Sequence, residues 1–228
     1  MYMNALLRSF CLAFTGIAAV CLGYAQAPAP GTVKLEIQLP KPRFIGTPKN
    51  LKTPNLEPAR KEAMRPAFYV PAGCVNLSLN KPVTASDNEP VIGEPAQVCD
   101  GDKEGVEGSY VEFGPGTQWV QIDLEKPAAI YAIVIWHFHS EARVYRDVVV
   151  QVADDRDFTT NVRTVFNNDH DNSSGLGIGK SFEYIETFEG KLIEVKGFKA
   201  RFVRFYSKGN TANEMNHMTE VEVFGKRS

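Results

Sequence analysis

Strict alternation of apolar and polar residues marks the middle of the chain. Residues 118–124 (QWVQIDL) place Val, Ile and Leu on one side and Trp, Gln and Asp on the other, whereas residues 130–136 (IYAIVIW) are almost wholly apolar. A period of two predicts a β-strand with one face in a core, and the apolar run predicts a strand covered on both faces. A turn is predicted between them because Pro127 has no N–H to donate to a sheet. We interpret this pair of strands as the centre of a β-sandwich.

Shorter segments with similar alternation surround the central pair, and no long stretch repeats every 3.6 residues as an amphipathic helix would. These further strands are predicted at residues 109–113, 147–153, 164–166, 183–187, 191–195, 200–206 and 219–224. Many short strands separated by Gly and Asn turns are typical of an all-β sandwich.

The first 25 residues have the pattern of an export signal. Residues 1–8 carry one cation, residues 9–22 are apolar or small without any charge, and cleavage is predicted after Ala25. The apolar run is too short for a comfortable membrane span. An uncleaved anchor and a lipid anchor at Cys21 are the alternatives. We therefore expect an exported protein, in the periplasm, the cell envelope or outside the cell, whose mature chain has no transmembrane segment.

Residues 26–73 form a proline-rich segment that precedes the predicted domain at 74–228. Its prolines are at positions 28, 30, 40, 42, 48, 54, 58, 66 and 71. Such a segment is expected to run as an extended arm that contributes little to the stability of the domain. Residues 33–39 (VKLEIQL) alternate and predict a strand added to an edge of the domain or to a partner protein. The alternative is a linker strapped along the surface.

Charge and motifs narrow the function classes. The net charge of −2 gives no electrostatic reason to expect nucleic acid or acidic lipid as a partner. The sequence contains no Gly-x-Ser-x-Gly elbow, and nothing marks a pair of glycosidase carboxylates. We therefore expect a protein that is not an enzyme.

Two of the four cysteines, Cys74 and Cys99, remain after removal of the signal. Because an exported chain meets an oxidising compartment, the even count predicts a disulfide between them. In the chain-entropy model such a bridge stabilises by roughly 3 kcal/mol. Two free buried thiols are the alternative.

Six segments in this order resemble the discoidin domain, also called the coagulation-factor (F5/8) type C domain, whose bacterial relatives include the family 32 carbohydrate-binding modules. They are residues 76–86 (NLSLNKPVTAS), 100–102 (DGD), 118–124, 148–155 (VVVQVADD), 200–205 (ARFVRF) and 219–225 (TEVEVFG). The resemblance covers about residues 76–226. It implies a galactose-binding-like jelly-roll sandwich and a non-catalytic binding module, often for glycans and sometimes for lipid headgroups or proteins.

A calcium site is predicted at the turn formed by Asp100, Gly101 and Asp102, because carboxylate oxygens on a tight turn suit this ion. The resemblance implies further ligands from backbone carbonyls and from a Glu of the last strand. Glu220 matches that position, with Glu222 as the alternate. The chain departs from the family after the turn, where residues 103–108 replace a frequent Thr and Trp. Alternatively, Asp100 caps a turn and Lys103 neutralises it.

A ligand site is predicted where three polar loops meet at one end of the sandwich, at residues 136–146, 167–180 and 209–217. Aromatic side chains there stack on a sugar, and His, Glu, Arg and Asn bind its hydroxyls. The candidate residues are Trp136, His137, His139, Glu141, Arg143, Asn168, His170, Asn213 and His217. We expect His139 and Arg143 to be exposed, with Arg143 favouring a sugar carboxylate or sulfate. For Trp136, packing in the core is the alternative.

Three functions remain open from the sequence. The first is an exported module that binds carbohydrate, such as a cell-surface glycan, and carries a structural Ca²⁺. The second is a structural or assembly subunit of a cell-envelope or extracellular complex, which binds a protein partner through the arm. The third is a metalloenzyme built on the four histidines. The loop at 167–180 begins like a calcium loop, with Asp169 and Asp171 two residues apart, but lacks the Gly and Glu of an EF-hand.

Overall fold

The computed structural model describes residues 28–43, 51–60, 62 and 64–227. The predicted signal at 1–25 lies outside the described residues. Apart from one short 3-10 helix (Pro95–Cys99), the regular structure within these ranges is β-strand. The strands are β1 (Thr32–Lys34), β2 (Tyr69–Pro71), β3 (Val75–Asn76), β4 (Val83–Ala85), β5 (Val111–Phe113), β6 (Gln118–Trp136), β7 (Val144–Tyr145), β8 (Val149–Ala153), β9 (Arg163–Asn167), β10 (Tyr184–Ile185), β11 (Lys191–Ser207), β12 (Asn216–Met218) and β13 (Glu220–Lys226). Among the described residues, none forms a helix of the length and apolarity needed to span a membrane.

A seven-stranded antiparallel sheet dominates the fold, in the order β3-β13-β6-β11-β8-β9 with β4 also paired to β6. The antiparallel pairs β5–β12 and β7–β10 contribute Phe113, Met218, Tyr145 and Tyr184 to the same core as the inward residues of the large sheet. Apolar side chains of the large sheet and of the short pairs thus meet in one buried layer. This confirms the predicted all-β sandwich.

Two long strands that bend in the middle replace four predicted short ones. β6 runs continuously through both predicted central strands, and β11 runs through both predicted late strands. The predicted chain reversal at residues 125–127 is therefore wrong. Glu125 adopts a φ of 66°, and the register between the two strands shifts between Ala200 and Phe202. A bulge of this kind bends a strand and leaves a position where proline is tolerated.

The bend is held on its exposed side by a bidentate ion pair. Arg201 Nε and Nη2 each donate to one carboxylate oxygen of Asp123, both at 2.7 Å. Hydrogen bonding from Arg201 lowers the pKa of the Asp123 carboxyl, and the positive charge of Arg201 lowers it further.

The arm packs along the outer face of the large sheet. β1 pairs with β2 inside the arm itself, so the predicted strand at 33–39 is short and is not added to an edge of the domain. Beyond it, the apolar side chains of the arm contact a small outer cluster built on β6 and β13. The arm supplies Leu35, Ile37, Leu39 and Phe68, and the cluster consists of Ala132, Val134, Trp136 and Phe224. The arm therefore covers the outer face of the large sheet. We expect it to stabilise the folded domain more than its proline content alone predicts.

The predicted disulfide is absent, and both Cys74 and Cys99 are free thiols in this structure. Cys74 is half-buried in the turn before β3, whereas Cys99 is buried at the end of the 3-10 helix. The Cys99 thiol lies 3.4 Å from the carbonyl oxygen of Lys81. Burial raises the pKa of Cys99 to about 11, which keeps the thiol protonated and unreactive.

Candidate functional site

A cleft of about 620 Å³ opens at one end of the sandwich, where loops from distant parts of the sequence meet. The β7–β8 loop contributes Arg146, the β9–β10 loop contributes His170, and the β11–β12 loop contributes Lys208, Asn210 and Asn213. Residues 54–55 of the arm complete the lining. The three loops predicted to converge therefore do so.

Two of the nine predicted ligand residues, His170 and Asn213, line this cleft. Of the others, Glu141 is exposed away from the lining, and the remaining six are buried in the protein. These six are Trp136, His137, His139, Arg143, Asn168 and His217. Among the described residues of the lining, none is Phe, Tyr or Trp, so the predicted aromatic floor is also absent.

Trp136, the last residue of β6, and His137, which follows it, are both fully buried. The Trp136 indole lies under the arm, and its Nε1 donates to the carbonyl of Phe188 at 3.0 Å. His137 stacks on Tyr145 at 3.8 Å, and its Nδ1 donates to the His217 carbonyl at 3.0 Å. Complete burial lowers the pKa of His137 to about 3, so this imidazole is neutral.

The expectation that His139 and Arg143 are exposed is wrong. His139 is fully buried, and its Nε2 donates to the Lys103 carbonyl at 2.8 Å. This hydrogen bond joins the β6–β7 loop to the segment that follows the turn at residues 100–102. Burial lowers the pKa of this imidazole. The Arg143 guanidinium lies over the Phe138 ring at 4.4 Å and pairs with Glu141 at 3.0 Å. Arg143 does not line the cleft.

Asn168 and His217 hold the loops in place. The Asn168 side chain donates to the Tyr145 carbonyl at 3.1 Å and accepts from the Val148 backbone at 2.7 Å, which joins two loops that build the cleft. His217 pairs with Glu112 across the β5–β12 pair at 2.8 Å. Burial lowers its pKa, and the charge of Arg143 lowers it further.

Sequence reasoning missed the cations of the cleft, Arg146 and Lys208, because each is a single basic residue next to a loop. Lys208 Nζ donates to the Ser173 carbonyl at 3.0 Å and so links two of the loops. It also missed Asp147, which adopts a φ of 56° at the start of its loop. Burial, followed by the charges of Asp169 and Asp171, raises the pKa of Asp147.

The predicted calcium turn lies against the last strand. The Gly101 backbone donates to Glu220 Oε2 at 3.3 Å, while Glu220 Oε1 is buried without a hydrogen-bond partner among the described residues. Burial raises the pKa of Glu220 to about 9. Asp100 Oδ1 accepts from the Asp102 backbone at 2.8 Å, and Asp102 Oδ2 accepts from Ser109 Oγ at 2.9 Å. Asp102 thus connects the turn to Ser109, and Oε1 of Glu220 is the acceptor without a hydrogen-bond donor among the described residues.

Glu222, predicted as the alternate calcium ligand, pairs with Lys103 through Oε1, while its Oε2 is buried without a hydrogen-bond partner among the described residues. Both side chains are buried, and the Lys103 ammonium also lies 4.9 Å from the centre of the Trp136 ring. Lys103 thus neutralises Glu222 rather than Asp100.

The four histidines do not come together as a metal site. Within the described part of the chain, the one group of three or more His, Cys, Asp or Glu side chains close enough to share an ion is Asp147, Asp169 and Asp171. The metalloenzyme hypothesis therefore has no geometric support.

Comparison of the sequence with models of protein families and with curated proteins gives no match. Comparison of the fold with solved structures does. A family 89 glycoside hydrolase from Clostridium perfringens, in complex with PUGNAc, has a TM-score of 0.50 and 18% identity. The match covers 68% of this chain and 15% of that chain, so this chain spans a small part of the hydrolase's length.

Two isolated modules also match. CpGH89CBM32-4, produced by Clostridium perfringens and solved with GlcNAc-α-1,4-galactose, has a TM-score of 0.49 and 16% identity over 68% of this chain and 96% of that chain. A fucose-binding module from Streptococcus pneumoniae has a TM-score of 0.47 and 18% identity over 67% and 99%.

At such identities a structural match reports on the fold alone. The chain therefore has the discoidin-like, galactose-binding-like β-sandwich fold that its sequence resemblance implies.

Proposed function

We propose that the protein is an exported, non-catalytic module that binds carbohydrate in the cleft between its three loops. The observation that carries this proposal is the convergence of the loops on an open space of about 620 Å³ lined by placed polar groups. A pocket of this size accommodates one or two sugar rings, and a few convergent polar groups are what fix the orientation of a ligand. The solved modules with this architecture include proteins named for binding glycans.

Recognition in this cleft depends on hydrogen bonds rather than on stacking. Arg146, Lys208 and the Asn213 amide nitrogen offer donors, and the carboxylates of Asp171 and Glu214 offer acceptors. The Asn210 side chain is taken up by hydrogen bonds within its own loop. Sugar hydroxyls are both donors and acceptors, so they match this lining. The preference for an anionic sugar expected from Arg143 is not part of this proposal, because the lining contains four carboxylates and two cations.

A glycan array probed with the full-length mature protein tests the proposal. We expect binding to a limited set of glycans and at least a tenfold loss in Arg146→Ala, whose side chain is exposed in the cleft. Glu141→Ala is the matched control, because Glu141 is exposed outside the lining. Absence of binding across the array, or equal loss in both variants, rejects the cleft as a glycan site.

We also propose a structural Ca²⁺ at the turn formed by residues 100–102. Its support is the free, buried Oε1 of Glu220 beside this turn, since an unpaired buried carboxylate oxygen is costly unless a cation or donor satisfies it. The bound ion would be held by Glu220, by Asp100 and by backbone carbonyls of the turn. It would supply positive charge that locks the turn onto the last strand.

The assembly function is the weaker proposal. The arm's apolar face at Leu35, Ile37 and Leu39 contacts the protein's own sheet, so that face is not free for a partner chain. Export remains part of the leading proposal. It rests on the signal-like segment at 1–25, and the protonated, buried thiol of Cys99 is compatible with an oxidising compartment.

A further inference from the structure

The arm reaches the cleft as well as the outer face of the large sheet. Pro54 and Asn55 line the same space as His170 and Asn213, although these loop residues lie more than a hundred residues later in the sequence. We propose that this segment of the arm takes part in ligand recognition and supplies the apolar wall of the cleft. The inference rests on the proposed function, and it adds the arm to the binding site.

Backbone hydrogen bonds hold the segment against the β9–β10 loop. The Glu183 N–H donates to the Asn55 carbonyl at 3.0 Å, and the Glu57 N–H donates to the Glu183 carbonyl at 2.8 Å. Leu56 is thereby paired with Glu183 in a parallel β-bridge. Both backbone polar groups of Glu183, a buried residue, are satisfied by the arm. Because buried backbone groups need partners, movement of the arm away from this loop is costly.

An ion pair holds the same segment to the large sheet. Lys191 Nζ, at the start of β11, donates to Glu57 Oε2 at 2.7 Å. The Lys191 ammonium also lies 4.8 Å from the centre of the Tyr184 ring. Both partners of the pair are half-buried, so salt screens their attraction less than it screens an exposed pair. The sandwich therefore fixes the position of the arm beside the cleft.

The chemistry of this wall complements that of the loops. Among the described lining residues that have a side chain, Pro54 is the only one whose side chain contains no polar atom, and it is exposed. A sugar ring presents an apolar face of C–H groups in addition to its hydroxyls, and ligand sites combine apolar surface with a few placed polar groups. Pro54 thus supplies the apolar contact that sequence reasoning assigned to aromatic loop residues, and the Asn55 amide lies next to it.

A glycan array probed with the full-length mature protein tests the inference. The double variant Pro54→Ala with Asn55→Ala removes both side chains but keeps the Asn55 carbonyl and the Glu57 N–H that pair with Glu183. We expect at least a fivefold loss of binding to the printed glycan that the unsubstituted protein binds most strongly.

The matched control is the double variant Lys52→Ala with Pro58→Ala. It also replaces one proline and one polar residue of the arm, at exposed positions outside the lining. Loss of a proline acts mainly through the unfolded chain, so both double variants are expected to have the same melting temperature. The control is expected to bind glycan as the unsubstituted protein does.

Arg146→Ala, a loop variant of the same cleft, separates the inference from the proposed function. If Arg146→Ala loses binding while the Pro54 and Asn55 double variant keeps it, the arm is not part of the site, and the proposed function stands without it. Equal loss in the Lys52 and Pro58 control also overturns the inference, because the effect would then not depend on the residues that face the cleft. If the unsubstituted protein binds no printed glycan, the proposed function is rejected and the inference with it.

Discussion

The Gly101 backbone N–H donates to Glu220 Oε2 at 3.3 Å and thereby joins the turn at residues 100–102 to the first residue of the last strand. The other oxygen of this buried carboxylate has no partner in the described part of the chain. One carboxylate therefore holds the turn in place and keeps an acceptor for a cation.

The first prediction concerns calcium at this turn. Ligand binding stabilises by mass action, by about 2.7 kcal/mol at a hundredfold excess over the dissociation constant. We expect a chelator to lower the melting temperature by several degrees, and we expect Glu220→Gln to abolish that difference. Calorimetry with and without chelator measures both. Superimposable curves with and without chelator would contradict a calcium site at the turn.

The second prediction concerns acid. Burial lowers the pKa of His137 from its ordinary value of 6.5 to about 3 in the folded protein, so this residue contributes stability above pH 6.5 that is lost as the pH falls towards 3. Each unit is worth about 1.4 kcal/mol, which gives about 3 kcal/mol lost by pH 4.5. In His137→Phe, which retains an aromatic ring against Tyr145, we expect the loss of unfolding free energy between pH 7 and 4.5 to be smaller by about that amount. Denaturant unfolding at both pH values measures it. Equal losses in both proteins would show that His137 does not control acid stability.

The third prediction concerns the residues that sequence reasoning assigned to sugar binding. His139→Ala leaves the buried Lys103 carbonyl without its donor, and unpaired buried groups cost about 1–3 kcal/mol. We expect thermal unfolding to show destabilisation of this size. Glu141→Ala, an exposed neighbour, is expected to change stability by less than about 0.5 kcal/mol. Normal stability of His139→Ala together with a loss of glycan binding would restore His139 as a binding residue.

The fourth prediction concerns the arm. Ile37 packs on the outer cluster, so Ile37→Asp is expected to destabilise the protein by about 1–3 kcal/mol through loss of apolar burial. Gln38→Asp introduces the same charge at an exposed position next to it and serves as the control. Removal of the residues before Gly73 is expected to lower the melting temperature further, because Val134 and Trp136 then face water. An unchanged melting temperature after this truncation would show that the arm is a dispensable extension, as its proline content predicts.

Alternation along residues 118–124 and 219–224 was sufficient to predict strands, the all-β class and the sandwich, because the side-chain period of a strand is written in consecutive residues. The signal-like segment at residues 1–25 stays a prediction, because it lies outside the described residues, and the proline-rich arm was recognised from composition alone. The meeting of three loops at one end of the sandwich was also predicted correctly, because loops at one end of a sandwich are neighbours whatever their exact conformation.

The side chains that face the cleft were decided by the tertiary structure. His137 and His139 are two residues apart, and both are buried. His137 contacts Tyr184 of β10, and His139 contacts Lys103, which follows the turn at residues 100–102. Asp147 meets Asp169 and Asp171, which follow it by more than twenty residues, because the loops that carry them lie side by side at one end of the sandwich. Burial and charge pairing depend on contacts between segments far apart in sequence, and local spacing carries no record of those contacts. The sequence therefore determined the sandwich and its loop end, and the packing of the loops determined which carboxylates, amides and cations line the cleft.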